Sequence, residues 1–230
     1  MRRTKAIFVE GIIGSGKSTT ARFLTTFLNQ QQIAAQFMSE GGRDHPLRLA
    51  NTLPHPFQVW RDLTIDQFIR HSLDKWQTFV QTAQRSECVT VFDGQLFHGN
   101  MTDLLLMNAD LMVLQTYVSQ VTDCLRALRP VLIYFYQADV AHALRVVCDA
   151  RGAEWEAYQV NWKLPSPYGV QRGLANFAGL LHLYQDYRSM SDTISATLPI
   201  PTLKIDNTEG QWTAYYRDML TFLELPVGIS

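Results

Sequence analysis

Residues 11–18 read Gly-Ile-Ile-Gly-Ser-Gly-Lys-Ser, three glycines and a lysine between an apolar run and a helical pattern. Gly11, Gly16, Lys17 and Ser18 fill the pattern GxxxxGK[ST], and the strand-before, helix-after setting is the one in which such a loop binds phosphate. The glycines let successive backbone N–H groups turn inward around an anion, a conformation that side chains would block. A helix starting near Lys17 adds its positive end. Lys17 is placed to reach the β- and γ-phosphates of a nucleoside triphosphate, and the Ser18 hydroxyl is a natural Mg2+ ligand. With Ile12, Ile13, Gly14, Ser15 and Thr19, these residues read as a triphosphate cradle. A turn that merely needs glycine is the plainer alternative; the complete motif in its expected setting favours the nucleotide.

Transferring a phosphoryl group requires that its charge be neutralised and water kept out. Arg145 and Arg151 lie six residues apart in ALRVVCDARGAEWEAY (143–158), close to Gly152, so a mobile lid would carry guanidinium forks suited to phosphate. Arg172 is a secondary candidate for the same work. Pro165, Pro167, Gly169 and Gly173 punctuate the stretch after Gly152 and predict an irregular segment, with the lid spanning about 139–173. Two carboxylates end apolar runs: Glu40 in FMSEGGRDHP and Asp93 in TVFDGQLFHG. Asp93 falls at the carboxyl edge of a predicted parallel sheet, where ligands bind, and either holds Mg2+ through water or orients an acceptor. Arg43, Asp44 and His45 are candidate acceptor contacts, although polar loop residues are more often just solvated. Trp60, Trp76, Trp155 and Trp162 offer stacking surfaces, of which Trp76 sits on a regular helical stripe and reads as core. His98 reads as structural, with no second His or Cys at ligand spacing.

The elements that must position these groups alternate. Apolar runs at 5–9, 33–40, 88–94, 130–138 and 201–207 read as strands. Helical periodicity covers 17–29, a stretch from the Thr64–Gln67 capping box to Ala83, 111–128, 139–150, 174–197 and 212–223. Residues 41–63, with Gly41, Gly42, Pro46, Pro54 and Pro56, read as a long loop. Alternation of this kind predicts one α/β domain over 1–230, a parallel sheet covered on both faces. At 230 residues with 47% hydrophobic and 18% charged residues, the chain buries a sizeable core and is not disordered. A formal net charge of −1 argues against a nucleic-acid partner. The widely spaced Cys88, Cys124 and Cys148 read as reduced thiols. No run approaches a membrane span or a signal peptide, so a soluble, cytoplasmic protein is expected, with no membrane partner and a homodimer left open.

The segment VEGIIGSGKSTTARFL resembles the opening of the deoxynucleoside kinase and thymidylate kinase group of P-loop kinases. ALRVVCDARGAEWEAY is similar to their lid, and LKIDN to the fifth strand leading into their adenine-contacting loop. The resemblance implies the P-loop nucleoside triphosphate hydrolase fold, three α/β/α layers around a five-stranded parallel sheet ordered 2-3-1-4-5, with a helical lid. It implies ATP as phosphoryl donor with Mg2+, and for Glu40 the part of base towards the acceptor hydroxyl. The chain departs from the group after its third strand. Those kinases carry an acidic-arginine pair there that grips the substrate, and this chain reads Asp93-Gly94-Gln95. The acceptor therefore stays open among a nucleoside, a nucleotide and a non-nucleoside alcohol such as a sugar acid or an antibiotic. GTPases would want Asn-Lys-x-Asp and transporters an LSGGQ-like signature, and neither occurs; DARG (149–152) matches DxxG only by chance, on a helix. A nucleotide-binding regulatory protein without turnover is the rival from another class. It has no need of Glu40 and Asp93 facing one cleft.

Overall fold

The computed structural model describes residues 4–42, 45–49 and 52–227. Five strands, β1 (Ala6–Gly11), β2 (Ala35–Met38), β3 (Val89–Asp93), β4 (Val131–Tyr136) and β5 (Thr202–Asp206), form one sheet ordered β2-β3-β1-β4-β5. Every pairing is parallel, in the order the resemblance implied. The central strand explains why. All six residues of β1 are buried, so AIFVEG must be covered on both faces, which only helical crossovers achieve. Alternate residues feed two cores. Ala6 and Phe8, with Phe92, Leu132 and Tyr134, pack under α2 (Ile65–Gln84), α3 (Asn100–Leu106), α4 (Leu111–Leu125) and α8 (Asn176–Ser195). Ile7 and Val9, with Val91, Ile133 and Ile205, pack under α1 (Lys17–Gln30) and α9 (Trp212–Phe222).

Two stretches differ from their sequence reading. Residues 152–173 are helical rather than irregular, with α6 (Ala153–Lys163) and α7 (Pro167–Gln171) following α5 (Val140–Arg151). Pro167 occupies the first turn of α7, where its missing N–H costs nothing, and Ser166 caps that helix by accepting from the Gly169 N–H. Helix α3 carried no stripe to detect, because it is only seven residues long and six of them, polar and apolar alike, are buried. The capping box at Thr64 and Gln67 is formed as the sequence predicted.

A buried polar network joins the helices beside the site. The Tyr117 hydroxyl accepts from Trp76 Nε1 at 3.2 Å and from Asn100 Nδ2 at 2.9 Å, and shares a hydrogen with Ser72 Oγ at 2.7 Å. Gln95 Nε2 in turn donates to Asn100 Oδ1 at 3.0 Å, so the start of α3 is fixed to α2 and α4. Tyr117→Phe would leave Trp76 Nε1 without its acceptor in the core and Asn100 Nδ2 with Ser72 Oγ alone. It should lower unfolding stability by about 1–3 kcal/mol, read as a reduced midpoint in urea with an unchanged slope.

Candidate active site

Residues 11–16 leave the carboxyl end of β1 and turn directly into α1. Lys17, its first residue, is buried, and its ammonium donates to the Ile12 carbonyl at 2.9 Å. The loop is clasped from both sides. A Cβ at Gly14 (φ +78°) would lie 2.8 Å from Val147 Cβ on α5, and one at Gly16 (φ +88°) would strike the Trp212 ring at the start of α9. Those two positions are open to glycine alone. The Asn207 amide, beyond β5, donates to the Ser15 carbonyl at 2.7 Å.

The ends of β1, β3 and β2 open onto a cleft of about 380 Å³. Of the residues singled out in the sequence, Ile13, Gly14, Lys17, Ser18, Glu40, Asp93, Arg151, Trp155 and Trp162 line it, and so does His98, which the sequence reads as structural. Gly11, Ile12 and Ser15 lie buried behind the cradle, while Thr19 is exposed outside the cleft. Arg145 is turned elsewhere: it donates to Glu156 at 3.2 Å and stacks on Phe177 with its guanidinium 3.6 Å from the ring centre. Arg172 contacts Asn108 and Tyr168, also away from the cleft. Trp76 is fully buried core, as its stripe predicted, and Trp60 packs against the same core. His45 is buried and accepts from the Leu47 N–H, a structural role; Arg43 and Asp44 lie outside the described residues.

Several groups in the cleft carry no signal in the sequence. Gln159 and Lys163 join Trp155, already noted, on one side of α6 at i, i+4 and i+8, a stripe hidden once the segment is read as irregular. Arg48 and Asp103 line the same wall, and Arg48 donates to the Glu40 carbonyl at 2.7 Å. No sequence pattern marks Arg48. Glu10 has a signal of its own, a lone charge inside an apolar strand. Its carboxylate is fully buried and accepts the Leu96 N–H at 2.5 Å and the His98 N–H at 3.1 Å.

Burial and mutual charge set the electrostatics. Desolvation raises Glu10 to about 7 and Asp103 to about 6. It raises Glu40 as well, with Lys17 pulling the other way, and the 43% exposure of that side chain limits the effect. Burial holds His98 well below its ordinary value, reinforced by Lys17 and Lys163, so a neutral imidazole sits with Nε2 3.6 Å from Glu40. Burial lowers Lys163 to about 8, against the pull of Glu40 and Asp103.

Asp93 Oδ1 and Gln159 Oε1 are buried without a hydrogen-bond partner among the described residues, and both residues line the cleft, poised for a ligand. Asp93 and Ser18 fit a hard cation held largely by phosphates and water; no cluster of three or more metal-ligating side chains occurs among the described residues. Gly94 accounts for the departure after β3. A Cβ there would lie 2.9 Å from Lys17 Cε and 3.3 Å from Glu40 Oε2, at φ +66°, so an arginine does not fit where the resembling kinases carry one.

No protein-family profile matches the chain, and no curated protein matches it by sequence. Among solved structures it is similar to thymidylate kinase from Candida albicans, at 13% identity and a TM-score of 0.57, over 96% of this chain and 93% of that one. At that identity the likeness establishes the fold, the five-stranded P-loop kinase sheet with helices on both sides. Among the described residues no helix is long and apolar enough to cross a membrane.

Because Asp103 supports the charged form of Lys163, Asp103→Asn should move the Lys163 titration further below its present value of about 8. Lysine side-chain NMR reads this directly, and an unchanged midpoint would show that the two groups are not coupled.

Proposed function

We propose that the protein is a kinase that transfers the γ-phosphoryl group of ATP to a small-molecule acceptor, a nucleoside or nucleotide. The observation that carries this reading is the meeting of Glu40 and Asp93, from two different strand ends, with Lys17 in one cleft. A module that only binds nucleotide has no use for that pair. In this reading the cradle amides and Lys17 hold the triphosphate, and Arg151 faces its outer end. Arg145 joins only after leaving Glu156, when the lid formed by α5 and α6 closes. Ser18 and Asp93 are the residues that would hold Mg2+, which when bound supplies charge neutralisation across the phosphates. Glu40 then accepts the proton of an acceptor hydroxyl. Arg48 and Lys163 provide, from other elements, the positive charge that Gly94 cannot, which keeps a nucleotide within the acceptor class. A non-nucleoside alcohol is the second reading, favoured by the absent strand-end arginine. Screening nucleosides, nucleotides and small alcohols for acceptor-dependent ADP release separates the two, and release with none of them would overturn both.

Lys17→Ala should cut turnover by about two or more orders of magnitude while folding survives, because a preorganised charge is lost rather than core. Near-normal turnover in that variant would sink the kinase reading. The carboxylates should separate in a Mg2+ titration. Asp93→Asn raises the Mg2+ requirement of both transfer and background ATP hydrolysis. Glu40→Gln spares ATP binding and background hydrolysis but suppresses acceptor-dependent transfer. Normal transfer to a hydroxyl by Glu40→Gln would pass the base role to Asp93.

A further inference from the structure

Glu10 has no part in the chemistry above, yet its setting is unusual. It is the penultimate residue of β1, immediately before Gly11 opens the phosphate cradle. A carboxylate there is fully buried, where an ionisable group is kept only with specific partners. Its partners are backbone donors on the segment after β3, the N–H groups of Leu96 and His98, with the Phe97 N–H between them also turned towards it. That segment runs from Gly94 into α3 and presents Gln95, His98, Asn100 and Asp103 to the cleft. His98, whose backbone Glu10 holds, sets its imidazole beside Glu40.

We propose that Glu10 is a positioning residue that ties the phosphate cradle to the acceptor-side loop 94–99, so that its ionisation state decides how firmly Glu40 and the acceptor wall are held. The tie is ordinary hydrogen-bond chemistry. An ionised carboxylate has two acceptor oxygens, and here one takes the Leu96 N–H and the other the His98 N–H. On protonation, one oxygen becomes a hydroxyl that is a poor acceptor, so the tie on that side weakens. The groups that face Glu10 are Lys17 from α1, His98 from the loop, Tyr134 from β4 and Tyr187 from α8. Lys17 favours the ionised form, and the two tyrosines and the neutral His98 carry no charge near neutrality. Desolvation opposes ionisation strongly enough to place the transition at about 7. The loop is therefore held tightly above that pH and loosened below it. The global balance runs the other way. A carboxyl raised from 4.5 to about 7 stabilises the folded chain most below its unfolded value, and that contribution is lost as pH rises through 7.

The tie can be read without any substrate. In the wild-type protein the amide protons of Leu96 and His98 should move downfield together as pH rises from about 5.5 to 8.5, with a shared midpoint near 7 that is absent in Glu10→Gln. Flat curves, or the same inflection in Glu10→Gln, would overturn the proposal. The kinetic consequence rests on the kinase reading above. Glu10→Gln places an amide N–H against the loop donors, so the acceptor KM should rise by about tenfold or more, with ADP affinity, measured by titration, within about twofold of wild type. An equal loss of ADP affinity would make Glu10 a general support of the fold and overturn the positioning role. If the amide shifts titrate as expected but no acceptor is phosphorylated by the wild type, the kinase reading fails and the tie stands.

Discussion

One buried ammonium organises the cleft. Lys17 starts α1 at the point where β1 runs out, and its charge reaches Glu10, Glu40, His98 and Lys163. A cation in that position needs compensating groups, because removing it from water is expensive unless partners replace the lost solvation. The sheet order supplies them. With β3 and β4 flanking β1 and β2 beyond β3, the carboxyl ends of three strands deliver Glu10, Asp93 and Glu40 around Lys17 from residues far apart in sequence. Glu10, raised to about 7, is only partly charged at neutral pH, and that restraint helps three acids share a small space with one lysine and the backbone of the cradle.

The cleft has two sides with different support. Its cradle side is held by main-chain geometry: a strand end, a helix start and two glycines under Val147 and Trp212. The opposite side depends on polar side chains. Arg48 braces the Glu40 carbonyl, Gln95 is locked to Asn100, and Asn100 is locked through Tyr117 to α2 and α4. On the proposed function, fixed backbone suits the part that meets a string of phosphates. Side-chain networks can be re-chosen residue by residue, which suits the part to which that proposal assigns the acceptor.

The sheet and its order could be anticipated because parallel strands buried on both faces leave continuous apolar runs, and the cradle because its motif depends on residues adjacent in the chain. Helices with one wet face, such as α2 and α8, announce themselves by period. The acceptor wall is harder to see. Arg48 sits in a loop with no pattern, Asp103 lies in a helix buried on nearly every side, and Lys163 ends a helix masked by the prolines after it. Each reaches the cleft through tertiary packing, which local spacing does not encode. Arg145 shows the converse: a residue well placed in sequence for the phosphates is drawn off by Glu156 and Phe177, and only the folded chain shows which contact wins.

The hydrogen bond from Asn207 to the Ser15 carbonyl joins residues 192 positions apart, and the Trp212 ring closes over Gly16 from the same distant segment. The cradle, though written near the beginning of the chain, therefore cannot take its final shape until the last strand and helix have been synthesised and docked. During synthesis β1 would wait as an apolar strand with its phosphate loop unbraced, a long-range closure of the kind that slows folding and leaves sticky intermediates open to chaperones. On the proposed function, competence to bind nucleotide would then arrive late, so nucleotide would act as a clamp on the finished chain rather than as a scaffold for the nascent one.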